Sequence, residues 1–128
     1  MKNDHARTLL QQEIDTACST LNFQENIPPY NQISQLPYLH ACISEALRLS
    51  PAVGDAFPRE VPTGGATILD DTVIPERTVV SLNNWVMGRN KTLYGEDAEE
   101  FKPERWLVPE NAKLFKEYEF SFGHGARV

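Results

Sequence analysis

The residues at the end of the chain have the types and spacing of a loop that holds a flat, charged group. Phe120 and Phe122 supply an aromatic platform, Gly123 and Gly125 supply a Gly-x-Gly bend, and Arg127 supplies a cation. Because glycine has no Cβ, such a bend can adopt positive φ and lie close against a planar molecule. An arginine beside the bend can pair bidentately with a carboxylate or a phosphate.

Two other interpretations of these residues come from the same pattern. Aromatic and polar residues alternate from Tyr118 to Phe122, which is typical of a half-buried strand followed by a tight turn. A strand followed by Gly-x-Gly also begins a dinucleotide-binding fingerprint. That motif fails here, because Val128 stands where its third glycine should be.

A second candidate for chemistry is the pair Glu45 and Arg48, which lie three residues apart and therefore share one helix face. An exposed pair of this kind is common and contributes only about 0.3–0.5 kcal/mol. Taken singly, the pair is therefore predicted to be a solvated ion pair. By the same reasoning, Arg59 is predicted to be a charge at a strand edge and Arg105 a surface cation. The order and spacing of these groups along the chain are more specific than any one of them.

Two predicted helices form the first part of the chain, and the second of them carries Glu45 and Arg48. Apolar residues recur at helical spacing over Arg7–Ala17 and predict one amphipathic helix. The segment 20–35 has no period and predicts a connection with at most a short helical turn. A second helix is predicted to begin near Ser34 as N-cap, with Pro37 in its first turn. It must end at Ser50, because the residue before a proline avoids the helical region.

The pattern then changes to short strands. Residues 66–69 and 72–74 flank two aspartates and predict a hairpin, and residues 78–82 predict a third strand. An asparagine at 83 or 84 can cap a short helix over Trp85–Arg89. After Gly95 the chain has little period, and about a dozen residues after Trp106 are predicted to be irregular.

Composition excludes several classes of protein. The net charge of −6 argues against a nucleic-acid-binding surface, and no apolar run or signal peptide indicates a membrane span or secretion. Cys18 and Cys42 are too few for a disulfide framework and lack the spacing of a zinc site. Cys42 is predicted to be a small buried thiol on the second helix, and Cys18 to lie in the connection after the first.

Taken in order, these motifs resemble those of the cytochrome P450 family of haem-thiolate monooxygenases, and the resemblance covers essentially the whole chain. Residues 10–15 resemble the family's J helix, and residues 36–51 resemble its K helix with the Glu-x-x-Arg motif. Residues 101–106 resemble the Pro-Glu-Arg-Phe region, with Trp106 in place of the final Phe. The tail resembles the haem-binding loop Phe-x-x-Gly-x-Arg-x-Cys-x-Gly, and the ligand cysteine is expected directly after Val128.

The resemblance implies a mainly α fold with a small β part (α+β), which is a partial cytochrome P450 fold. It would contain the J and K helices, a short β-hairpin or sheet, the meander and a truncated haem-binding loop. Residues 1–128 would form a single incomplete domain.

The resemblance also implies roles for particular residues. A buried structural network would contain Glu45, Arg48 and Arg105. The haem-binding residues would be Arg59 and Arg127, which pair with the propionates, Phe122, which packs against the proximal face, and Gly125. The substrate pocket would be lined by Val53, Gly54 and Phe57. No residue of the chain is expected to bind a metal itself.

The implied activity is the insertion of one oxygen atom of O2 into a small, lipophilic organic substrate. The implied cofactor is haem b, with electrons from NADPH delivered by a partner reductase. The implied location is the cytosolic side of the endoplasmic reticulum membrane, with membrane contact only through an N-terminal region outside this sequence and no nucleic-acid partner. Without the cysteine, this chain alone is expected to be inactive. The alternative is a truncated, non-catalytic remnant that acts as a binding or regulatory piece, or has no function.

Overall fold

The computed structural model describes residues 3–21, 28–54, 58–68 and 71–122. In chain order the helices are α1 (Asp4–Leu21), α2 (Tyr30–Ile33), α3 (Pro37–Leu49), α4 (Asn84–Met87), α5 (Lys91–Tyr94), a 3₁₀ helix (Pro103–Trp106) and α6 (Pro109–Glu117). The strands are β1 (Arg59–Glu60), β2 (Ala66–Ile68), β3 (Thr72–Ile74) and β4 (Val79–Val80). The predicted α+β class, mainly helical with a small β part, is confirmed. Within these ranges, no helix has the length and apolar character needed to cross a bilayer.

Helix α1 is longer at both ends than the predicted Arg7–Ala17. At its start, Asn3 Oδ1 accepts a hydrogen bond from the Ala6 N–H at 3.0 Å, which supplies a cap. At its end, Thr16 and Thr20 donate their hydroxyl hydrogens to carbonyls one turn earlier, so these polar residues remain compatible with a helix. The prediction that Cys18 lies in a connection is therefore wrong, since it lies within α1.

Helix α3 begins later than predicted and has a cap from another helix. Ser34 is not its N-cap, because Leu36 holds that position and offers no side-chain hydrogen bond. Instead, the Glu13 carboxylate of α1 accepts from the Tyr38 and Leu39 N–H groups at 2.9 and 2.8 Å. The predicted end at Ser50 is confirmed. The only side chain that caps α3 in the described part of the chain thus comes from α1.

The strands form two separate two-stranded antiparallel sheets. The predicted hairpin is confirmed as β2 and β3, in which Ala66 pairs with Ile74. The third predicted strand is shorter than 78–82, because only Val79 and Val80 pair with a neighbouring strand. Its partner β1 was not predicted, since a strand of two residues gives no periodic signal.

The last third of the described chain contains a helix that the sequence pattern did not predict. Residues 109–117 form α6, in which charged residues outnumber apolar ones and only Phe115 is buried. The predicted strand over 118–122 is wrong, because Tyr118 ends α6 and the chain turns there. Phe115 joins a core cluster made by residues from α3 to α6, namely Ala41, Tyr94, Ala98, Trp106 and Phe115.

Candidate functional site

The centre of the site is the carboxylate of Glu45, on α3, which is 0% exposed. Its Oε1 accepts from Arg48 Nη2 at 2.8 Å, from the Lys102 N–H at 2.8 Å and from Arg105 Nε at 3.0 Å. Its Oε2 accepts from Arg48 Nε at 2.7 Å and from Trp106 Nε1 at 2.9 Å. One carboxylate therefore accepts five hydrogen bonds and joins α3 to the 3₁₀ helix.

Arg48 uses every N–H of its guanidinium. Two of the five go to Glu45. The remaining three go to backbone carbonyls: Nη1 donates to Gly88 and to Ala98, the latter at 2.6 Å, and Nη2 donates to Glu100 at 3.0 Å. The side chain thus fixes α3 to α4 and to the segment before the 3₁₀ helix without leaving a buried donor unpaired.

Arg105 approaches Glu45 from the opposite side with a side chain that is only 6% exposed. Its Nη1 donates to the Tyr94 carbonyl at 2.8 Å and to Asp97 Oδ1 at 3.1 Å, and its Nη2 donates to the Asp97 carbonyl at 3.0 Å. Hydrogen bonds from Lys102 and from Arg105 lower the pKa of Asp97, which therefore remains ionised beside the arginine.

The electrostatics of the cluster favour its charged state. Burial opposes the ionisation of Glu45, but hydrogen bonds from Arg48, from the Lys102 N–H and from Trp106 outweigh it and lower the pKa of the carboxyl. Burial raises the pKa of the Tyr94 phenol to about 12, so this ring stays neutral beneath the Arg48 guanidinium, 4.8 Å from its centroid. At neutral pH the cluster is a charged carboxylate between two charged guanidiniums.

The structure therefore brings Glu45, Arg48 and Arg105 together and buries them, which differs from a solvated surface pair. The sequence pattern did not identify the contributions of Trp106, Lys102 and the backbone carbonyls. One signal for Trp106 was present: an indole replaces the family's phenylalanine at that position, and its Nε1 supplies a fifth hydrogen bond to Glu45.

Close contact between α3 and α4 requires glycine at position 88. A Cβ on Gly88 would overlap the carbonyl oxygen of Arg48 and lie 3.1 Å from the Arg48 carbonyl carbon. The backbone of Gly88 is in the ordinary helical region, so the requirement is steric rather than conformational. Glycine here lets α4 approach the cluster.

The residues predicted to contact the cofactor and substrate are partly described. Arg59 lies in β1 and is exposed, and its Nη1 donates to the Pro58 carbonyl at 3.0 Å. Phe122 is 67% exposed and Val53 is 40% exposed, while the Gly54 carbonyl accepts from the Trp85 N–H at 3.3 Å. Gly125, Arg127 and Phe57 lie outside the described residues.

These features fit haem in their chemistry. Phe122 presents an aromatic surface, as a planar macrocycle requires, and Arg59 forms no ion pair within the described ranges, so its charge can meet a propionate. The structure does not join either residue to the Glu45 cluster by a hydrogen bond among the described residues. Within the described part of the chain, the cluster and the two residues predicted to contact haem are therefore separate sets of residues.

The sequence of the chain is similar to those of known proteins. The family model for cytochrome P450 matches residues 1–128. A cytochrome P450 monooxygenase of Aspergillus flavus is 41% identical over 120 residues, which cover 93% of this chain and 23% of that protein. The monooxygenase pkfB of Emericella nidulans is 46% identical over 102 residues, which cover 79% of this chain and 20% of that protein. Pisatin demethylase of Fusarium vanettenii is 40% identical over 123 residues, which cover 94% of this chain and 23% of that protein. The chain thus spans about a fifth to a quarter of the length of these relatives, and it belongs to the cytochrome P450 family.

Proposed function

We propose that this chain is part of a haem-thiolate monooxygenase that inserts one oxygen atom of O2 into a small, lipophilic organic substrate. The observation that carries the proposal is the buried cluster in which Glu45 is shared by Arg48 and Arg105. Two guanidinium forks on one carboxylate fix α3 against the 3₁₀ helix, and a rigid frame of this kind holds a cofactor loop in one geometry.

In this proposal the residues of the chain bind and orient the cofactor. The guanidiniums of Arg59 and Arg127 would pair with the two haem propionates, Phe122 would pack on the macrocycle, and Gly125 would let the loop backbone lie close to it. A cysteine directly after Val128 would bind the haem iron. Haem supplies the iron at which dioxygen is activated, and a thiolate ligand favours cleavage of the O–O bond.

The partners follow from the same proposal. A reductase would deliver electrons from NADPH, since haem is not itself a source of electrons. The protein would face the cytosol at the endoplasmic reticulum membrane. The substrate would lie against the segment after α3, where Val53 and Gly54 are followed by Phe57. This chain by itself would lack the complete site, so catalysis belongs to the full-length protein.

The test is to express the full-length protein and measure its haem content, the carbon monoxide difference spectrum of the reduced form, and oxidation of a panel of lipophilic compounds. The expected result is one haem per protein, a spectrum typical of thiolate ligation, and product only when both NADPH and a reductase are present. Omission of NADPH is the matched control. Failure to bind haem, or a residue other than cysteine after Val128, would refute the proposal.

A further inference from the structure

A single side chain, Asn84, joins the segment predicted to line the substrate pocket to the segment that precedes the predicted cofactor loop. Asn84 is the first residue of α4 and is 6% exposed. Its Nδ2 donates to the carbonyl of Val53 at 3.2 Å and to the carbonyl of Phe120 at 2.9 Å. Both hydrogens of the amide are therefore used to connect parts of the chain that are 67 residues apart in sequence.

The two carbonyls belong to segments with different predicted roles. Val53 belongs to the predicted substrate segment that follows α3, and Phe120 lies two residues before Phe122, where the predicted cofactor loop begins. Helix α4, which carries Asn84, is itself fixed to the buried cluster, because the Gly88 carbonyl accepts a hydrogen bond from Arg48. A continuous set of contacts therefore leads from the cluster through α4 to Phe120, which precedes the loop.

The chemistry of the position favours asparagine. An amide offers two N–H donors in one plane, whereas an ionised aspartate offers none and would repel both carbonyls. The opposite orientation of the amide would point Oδ1 at two carbonyl oxygens, so the network itself fixes the assignment of the two atoms. Oδ1 is fully buried and accepts no hydrogen bond from the described residues. The amide of Asn84 therefore acts in the described structure as a hydrogen-bond donor only.

We propose that Asn84 is a positioning residue for the cofactor loop. It holds the Phe120 carbonyl, and thereby the backbone that leads into residues 122–127, at a fixed distance from the substrate segment at Val53. The effect of Asn84 on the cofactor depends on the proposed haem-binding function. The clamp itself consists of contacts between residues of this chain and can be tested separately.

The experiment uses the full-length, haem-loaded protein with Asn84→Ala and Asn84→Asp. The matched control is Asn83→Ala, which removes the exposed N-cap of the same helix, where Asn83 Oδ1 accepts from the Val86 N–H, but leaves the clamp intact. Hydrogen exchange of the amides in residues 118–122 should become at least about tenfold faster in both Asn84 variants, because two hydrogen bonds are lost. The control should exchange at the wild-type rate in that segment.

A second readout reports on the cofactor. The Asn84 variants should convert a larger fraction of the reduced, carbon monoxide-bound protein to the form without thiolate ligation, whereas Asn83→Ala should not. Equal exchange in residues 118–122 and equal spectra in the Asn84 variants and the control would overturn the proposal. Wild-type protein that binds no haem would refute the proposed function, while the exchange experiment would still decide the clamp.

Should neither Asn84 variant fold, the wild-type protein still provides a decisive measurement. Two buried, hydrogen-bonded side-chain N–H groups exchange slowly with solvent, whereas exposed asparagine amides exchange fast. Nuclear magnetic resonance of the Asn84 side-chain amide should therefore show strong protection of both hydrogens. Exchange of this amide at the rate of the exposed Asn83 amide would overturn the proposal.

Discussion

Replacement of Glu45 by Gln tests whether the buried cluster stabilises the fold as its geometry indicates. Glutamine keeps the shape of the side chain but removes the charge and turns one oxygen into an N–H₂ donor. With the amide nitrogen at the Oε2 position, the donors on Arg48 Nε and Trp106 Nε1 lose their acceptor. With the nitrogen at the Oε1 position, three donors lose it. The less damaging orientation therefore still leaves two buried donors unpaired.

The magnitude follows from these contacts. An unsatisfied buried donor costs about 1–3 kcal/mol, so two give about 2–6 kcal/mol. Removal of one partner of a buried ion pair costs about 3–5 kcal/mol by an independent route. We expect a loss of about 4 kcal/mol in the free energy of unfolding, or about a thousandfold in the folding equilibrium. A loss of that size is a large fraction of the stability of a typical domain, about 5–15 kcal/mol.

The assay is urea unfolding of the full-length protein, followed by circular dichroism, with haem retention measured on the same samples. Glu96→Gln is the matched control, because Glu96 forms an ion pair with Lys91 at 2.9 Å on the surface and its side chain is 89% exposed. The control should change the unfolding midpoint little. If Glu45→Gln and Glu96→Gln shift the midpoint equally, the cluster does not stabilise the protein as inferred.

The same variant has a pH signature. Because the pKa of Glu45 is lowered in the folded state, its contribution to stability is present above the pKa of the unfolded chain and is lost as pH falls through the folded value. The stability difference between wild type and Glu45→Gln should therefore shrink only below the ordinary glutamate pKa. A difference that disappeared between pH 7 and pH 5 would contradict the lowered pKa.

Three further predictions concern other contacts. Gly88→Ala should reduce the free energy of unfolding by about 1–3 kcal/mol, because its Cβ would overlap the Arg48 carbonyl, whereas Gly54→Ala, whose Cβ would lie 4.0 Å from the Trp85 Cβ, should have little effect. Glu13→Ala should cost about 1 kcal/mol in thermal unfolding, because two backbone N–H groups at the start of α3 lose their acceptor. A high-resolution crystal structure should show one ordered water bound to Asn84 Oδ1, since this buried oxygen has no hydrogen-bond partner among the described residues and Asn84 lines a cavity of about 20 Å³.

The parts of the fold that could be predicted from the sequence are those with a local signal. Apolar spacing indicated α1 and α3, and the turn residues between 66 and 74 indicated the hairpin. Of the two asparagines predicted as candidates for the cap of a short helix, Asn83 holds that position, and its Oδ1 accepts from the Val86 N–H at 3.0 Å. The helix α6 buries only Phe115, so its stability depends on packing against Tyr94 and Trp106 rather than on a pattern within the segment.

The site was less predictable because most of its contacts are distant in sequence or involve the backbone. Spacing can place Glu45 beside Arg48, but it carries no information about Arg105, which is 60 residues away and was associated with them only through the family resemblance. The carbonyls that accept from Arg48 leave no trace in residue type. The same holds for the cap that Glu13 gives to α3, which acts between two helices.

The hydrogen bond between Trp106 and Glu45 makes the cluster optically observable. The chain has two tryptophans: Trp85 is 51% exposed and stacked under Arg89, and Trp106 is 8% exposed with its Nε1 on a carboxylate. Indole emission depends on the polarity and charge around the ring, so the two residues should emit at different wavelengths. In a variant of the full-length protein whose other tryptophans, including Trp85, are replaced by Phe, Trp106 becomes an intrinsic indole fluorophore located at the cluster. Its emission would then follow, without an added label, the moment at which the carboxylate and the indole separate during unfolding.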